Sequence, residues 1–167
     1  ESLTESANLA VDSVRAGQGD TLWLYGAPGS GKTHLLQATV AQLAQKGVSV
    51  AYLPANQIDA TDAVSVLEGS ERYAVLIIDD IDCWVGVGSV EQELVRRYQE
   101  RRQAGSHLVL SARNAPVDYA MAFADWASRA RGAEVFRMAE LDDDSKLRVL
   151  KNRAMRLGLD LGAAPGS

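Results

Sequence analysis

The 167-residue sequence predicts an α/β fold of three layers, with a five-stranded parallel sheet sandwiched between helices. Three observations carry this. Short apolar runs alternate with helical patterns of 10–15 residues, the signature of parallel strands joined by crossover helices. The run Ala74-Val75-Leu76-Ile77-Ile78 is continuously apolar, as a strand buried on both faces must be. A glycine-rich segment at 26–33 separates the first strand from the helix after it.

The elements follow in order. Leu9, Ala10 and Val14 recur at helical spacing within Ser6–Ala16, and Gly17 stops that helix. Thr21–Tyr25 is the first strand. Thr33–Lys46 is a helix closed by Gly47, where a left-handed residue is wanted. Val48–Leu53 is the second strand, Asn56–Glu68 a weaker helix, and Ala74–Ile78 the third strand. Val90–Ala104 is helical, His107–Leu110 is the fourth strand, Asp118–Ala130 contains a helix, and Glu134–Met138 is the fifth strand. Asp142-Asp143-Asp144-Ser145 caps a last helix that runs to about Leu157, with Gly158 as its stop. Residues 1–161 are expected to form one core and residues 162–167 a disordered tail.

Composition narrows the function classes. Hydrophobic residues at 47% and charged residues at 23% fit a globular domain. No apolar run nears the roughly 20 residues of a membrane helix. Seventeen Lys and Arg against 22 Asp and Glu give a net charge of −5, so direct DNA contact by the domain as a whole is expected to be weak or absent. The single cysteine, Cys83, and the lack of a secretory start predict a cytoplasmic location. Cys83 reads as a packing residue, since neither His34 nor His107 is near it in sequence. Arg96, Arg97, Arg101 and Arg102, diluted by Glu91, Glu93 and Glu100, read as a solvated helix face.

Gly26-Ala27-Pro28-Gly29-Ser30-Gly31-Lys32-Thr33 is a complete G-x-x-x-x-G-K-[ST] match, which makes the fold a P-loop NTPase. Glycines let successive backbone N–H groups turn toward one phosphate, and the following helix adds its positive end. Lys32 is the point charge for the β- and γ-phosphates, and Thr33 is placed to hold Mg²⁺. The expected cofactors are ATP or ADP with Mg²⁺. The contact set is Gly26, Pro28, Gly29, Ser30, Gly31, Lys32 and Thr33. The alternative is a plain glycine-rich turn.

The third strand ends in Asp79-Asp80. A strand of this kind is expected next to the phosphate loop, with Asp79 as a second metal-holding residue and Asp80 as the general base that orients an attacking water. The alternative is a polar strand end that simply meets solvent.

Together these segments resemble the nucleotide-binding core of the DnaA family within the AAA+ class. Gly-Lys-Thr-His-Leu-Leu at 31–36 and Leu-Ile-Ile-Asp-Asp-Ile at 76–81 look like that family's two nucleotide motifs, and the first adds His34 to the contact set. Asp82-Cys83-Trp84-Val85-Gly86 and Asp125-Trp126-Ala127-Ser128-Arg129 look closer to the Hda-type inactivators of DnaA. That resemblance implies a negative regulator of DNA replication initiation. It would promote hydrolysis of ATP held by a DnaA-type initiator, with the DNA sliding clamp as second partner and a homo-oligomer as one expected state. Arg129 matches the family's arginine finger, which reaches a neighbour's nucleotide, and Arg131 is the neighbour able to substitute. Ser111 and Asn114 are both candidates for the γ-phosphate sensor after the fourth strand, and Asn114 is preferred. The family's helical lid, adenine-contacting segment, clamp motif and DNA reader find no counterpart, so the expected fold is an AAA+ type core with the helical lid absent. An ATP-driven helicase loader or transposition-type ATPase shares the same core and motifs. A non-hydrolysing nucleotide-gated adaptor is the non-enzymatic alternative.

Overall fold

The computed structural model describes residues 21–138. The helices expected over 6–16 and 142–157 and the tail at 162–167 lie outside them. Five parallel strands form one sheet: β1 (Thr21–Tyr25), β2 (Val50–Pro54), β3 (Val75–Asp79), β4 (His107–Ala112) and β5 (Glu134–Arg137). Among the described residues four helices alternate with them: α1 (Lys32–Gln45), α2 (Ala60–Glu68), α3 (Gly88–Ala104) and α4 (Ala124–Arg131).

Side-chain alternation along the strands assigns the layers. Leu24, Val75, Ile77 and Phe136 face one way, onto Leu35, Leu36 and Leu43 of α1. Trp23, Leu76, Ile78, Leu108 and Leu110 face the other way, onto Ala63 and Leu67 of α2, Val90 and Leu94 of α3, and Trp126 and Ala130 of α4. All five residues of β3 are buried, as its continuous apolar run requires.

The strand order is β2-β3-β4-β1-β5. This corrects one expectation: β3 does not lie next to the phosphate loop's strand, because β4 stands between them. Local patterning defines strands but not their neighbours; the crossovers through α2 and α3 put β3 and β4 on the same side of β1, with β4 paired to it.

Three smaller differences have local causes. The segment expected as one helix from Asn56 divides into a short turn, Ala55–Gln57, and α2, which starts after the extended Asp59. The helix within 118–130 is confined to α4, after a separate turn at Pro116–Asp118. Ile81–Trp84 coils into a short helical turn directly after β3.

The arginine face is the larger correction. Arg96 and Arg102 are exposed, but Arg97 and Arg101 are only 5% and 3% exposed. Arg97 pairs with Glu93 at 3.1 Å, Glu100 at 3.1 Å and Glu71 at 3.6 Å. Arg101 donates to the carbonyls of Ser70 at 2.6 Å and Tyr73 at 2.7 Å, tying α3 to the loop before β3. Cys83 is also corrected: it is exposed rather than packed, because Ile81 and Trp84 fill the core side of its turn.

Candidate functional site

The glycine-rich loop joins the C-terminal end of β1 to α1. Gly29 and Gly31 take φ of 85° and 93°, a region open to glycine and strained for other residues. Gly26 is needed for space: a Cβ there would stand 2.7 Å from the Met138 carbonyl and 2.8 Å from Ser30 Oγ. The Gly26 N–H donates to the Ala112 carbonyl at 3.1 Å, so the loop begins anchored to the end of β4. Leu35 N–H bonds to the Gly31 carbonyl at 2.9 Å and opens α1, leaving the N–H groups before it at the positive end of the helix.

Lys32 is buried and curls back over the loop. Its ammonium donates to the carbonyls of Gly26 at 2.7 Å and Ala27 at 3.3 Å. An ammonium has three donors, and these bonds use two of them. Thr33 and His34 lie exposed on the first turn of α1, Pro28 and Gly29 are exposed on the loop, and Ser30 is buried.

Asp79 ends β3 at 2% exposure, with both carboxylate oxygens engaged. Oδ2 accepts from the Tyr52 hydroxyl on β2 at 2.6 Å, and Oδ1 accepts a short hydrogen bond from the Ser111 hydroxyl on β4. Ser111 also accepts from the Asp80 N–H at 2.9 Å. Ser111, on the intervening strand β4, is thus tied through its hydroxyl to the end of β3.

Asp80 adopts a left-handed backbone with φ 58° and ψ 48°, which an aspartate tolerates better than most residues. Burial raises its pKa above the ordinary carboxylate value, and the charges of Asp79 and Asp82 add to the rise. Asp80 lines a cleft with Asn56, Asp82, Cys83, Arg113, Asn114 and Tyr119.

The two sensor candidates therefore sit differently. Ser111 is fully buried against Asp79. Asn114 is exposed in the cleft; its carbonyl accepts from Trp23 Nε1 at 2.9 Å and its N–H donates to the Tyr119 hydroxyl at 3.1 Å. That hydroxyl donates to Asp82 Oδ2 at 2.9 Å, and Asp82 also accepts from the Arg113 N–H at 2.9 Å. Arg129, on the last turn of α4, stands apart from this group. Its guanidinium lies 5.2 Å from the centre of the Tyr98 ring, and its Nε lies 3.6 Å from Asp125. Arg131 donates to the Tyr119 carbonyl at 3.3 Å.

Sequence reasoning missed Tyr52, Asp82 and Tyr119. No local pattern marks them: Tyr52 sits in the middle of β2, while Asp82 and Tyr119 lie in the segments that follow β3 and β4, beyond the strand ends at which ligands bind in open α/β sheets.

The residues fit a nucleoside phosphate. The loop backbone is already wound, Lys32 retains a donor, and the buried Ser30 hydroxyl has no hydrogen-bond partner among the described residues. The Thr33 hydroxyl and the Asp79 carboxylate are oxygen donors of the kind Mg²⁺ takes.

Comparison with known proteins agrees with this architecture. A DNA replication initiation factor superposes with a TM-score of 0.70 at 20% identity, over 95% of this chain and 51% of that one. AMPPCP-bound DnaA from Aquifex aeolicus gives 0.68 at 20% identity, over 95% and 52%. Domain III of the Thermotoga maritima replication initiation protein DnaA gives 0.66 at 22% identity, over 94% and 71%. The chain thus spans about half the length of the first two. All three share its fold, that of AAA+ P-loop domains of the DnaA type. The profile of the bacterial DnaA ATPase domain matches residues 1–129, most of the sequence, and the chain therefore belongs to the bacterial DnaA ATPase domain family.

Proposed function

We propose that this chain is a nucleotide-binding regulatory module of bacterial DNA replication initiation, holding ATP or ADP with Mg²⁺ and acting on a DnaA-type initiator in the manner of Hda. One observation carries the nucleotide part: a wound glycine loop with its lysine lies one strand away from a buried Asp79 and a cleft-facing Asp80, at the same edge of the sheet. The AMPPCP found on the Aquifex DnaA supports the same ligand class here.

In this reading the loop N–H groups and the α1 terminus bind the phosphates, and Lys32 adds its remaining donor. Thr33 and Asp79 would hold Mg²⁺. Bound Mg²⁺ would supply neutralisation of phosphate charge. Asp80, its pKa raised by burial, is suited to accept a proton from water at the cleft mouth. Ser111 or Asn114 reports the γ-phosphate end. Arg129 serves a neighbouring molecule. Its stacking on Tyr98 and its pairing with Asp125, 35% and 49% exposed, are each worth about 1 kcal/mol or less, so a phosphate can displace them.

Calorimetry with ADP and ATP tests the binding. Micromolar affinity lost in Lys32→Ala supports it, and no binding up to millimolar ligand refutes it. Addition of the chain to an ATP-loaded DnaA-type initiator tests the regulation. Hydrolysis should accelerate, and Arg129→Ala should remove most of the acceleration while nucleotide binding stays intact. A helicase-loader role would give no acceleration. Turnover by the chain alone, lost in Asp80→Asn, separates an enzyme from an adaptor.

A further inference from the structure

The environment of Asp79 is more specific than a strand end requires. Its carboxylate is gripped from both sides, by Tyr52 of β2 and Ser111 of β4. Tyr52 is two residues short of Asp79 in the β2–β3 register, since Tyr52 pairs with Ile77 and Pro54 with Asp79. Alternation places Tyr52, Ile77 and Asp79 on the α1-facing side of the sheet, and the long phenol reaches the carboxylate along that side. Gln37, on α1, also lies close enough to influence the Tyr52 hydroxyl. Three elements therefore converge on one hydroxyl: the helix that begins at the phosphate loop, the edge strand, and the strand carrying the acid.

We propose that Tyr52 is a positioning residue for the metal-holding acid: its hydroxyl fixes the rotamer of Asp79 so that the carboxylate meets a nucleotide-bound Mg²⁺ in one orientation. Mg²⁺ demands near-octahedral geometry and tolerates little angular error in its ligands and their supports. A carboxylate with only the Ser111 bond can still turn about its terminal torsion, which is broad. The second bond removes that freedom.

This inference rests on the nucleotide reading above, and its test separates the two. ADP affinity is measured by calorimetry in EDTA and in excess MgCl₂, for wild type and Tyr52→Phe. The ratio of the two affinities is the gain due to metal. In Tyr52→Phe the gain should fall at least about threefold, while affinity in EDTA stays within about twofold of wild type, one hydrogen bond's worth of effect being confined to the metal arm. An unchanged gain overturns the positioning role and leaves the nucleotide site standing. Equal losses in both arms also overturn it, because they mark a general structural role. The unfolding midpoint should drop by about 5 °C; a variant that does not fold overturns the proposal, since a hydroxyl that only orients Asp79 is dispensable for folding. Wild type that binds no ADP overturns both readings.

Discussion

Replacing Arg101 by methionine tests whether the sequence or the structure better describes the basic helix α3. Arg101 and Arg102 are adjacent and chemically identical, yet Arg101 is 3% exposed and Arg102 is exposed. The Arg101 guanidinium donates two short bonds, 2.6 Å and 2.7 Å, to the carbonyls of Ser70 and Tyr73, and a longer one of 3.4 Å to that of His107. Hydrogen bonds from a charged group are worth about 1.5–3 kcal/mol each, so the two short ones amount to about 3–6 kcal/mol. Against this stands the cost of burying the cation, visible in its lowered pKa, which burial causes chiefly and the nearby Arg97 charge adds to. Methionine keeps most of the apolar volume, recovers the desolvation cost and leaves two carbonyls without their donor. The expected net loss is about 3 kcal/mol, a large part of the 5–15 kcal/mol typical of a domain. At about 4 °C per kcal/mol, the midpoint falls by about 12 °C. Urea unfolding followed by circular dichroism measures this directly, with Arg102→Met as control, expected within about 0.5 kcal/mol of wild type. If the two variants lie within about 1 kcal/mol of each other, the assignment of Arg101 as a buried tie between α3 and the 70–73 loop is wrong.

Other perturbations follow from the same contacts. Glu91 is fully buried and its two oxygens accept from the Gly86 N–H at 2.6 Å and the Phe123 N–H at 2.7 Å. Glu91→Leu should therefore cost about 3 kcal/mol in chemical unfolding, whereas a loss below about 1 kcal/mol would refute the bridge between the 85–87 loop and the start of α4. Gly26→Ala places a methyl against the Met138 carbonyl and Ser30 Oγ, so ADP affinity should fall at least tenfold by calorimetry. Asp80 binds its proton more tightly in the folded than in the unfolded state, so its contribution to stability declines as pH rises from the ordinary carboxylate range toward its raised value. Asp80→Asn should accordingly raise the unfolding midpoint at pH 7.5, with a margin that shrinks toward pH 3.8, the unshifted value. A margin independent of pH would mean that the relief is conformational, asparagine being comfortable in the left-handed region, and not electrostatic.

The sequence by itself determined what is local. The loop motif reads directly because glycine spacing, lysine and threonine act within one turn of chain, and the structure winds Gly29 and Gly31 as that chemistry requires. Strand and helix positions came from periodicity, which depends only on which face each side chain takes, and the β3 run was legible because burial on both faces leaves no polar position. Tertiary structure decided what depends on neighbours distant in the chain. The order β2-β3-β4-β1-β5 inserted β4 between the two motif strands, and Ser111 on that strand reached Asp79. Helical spacing put Arg97 and Arg101 on a common face, but only the packing of α3 against α2 and the 70–73 loop made that face an interior one. Tyr52 carries the same lesson. Nothing in Val-Ala-Tyr-Leu-Pro marks its tyrosine, because the carboxylate it holds lies 27 residues away and is brought to it by strand register alone.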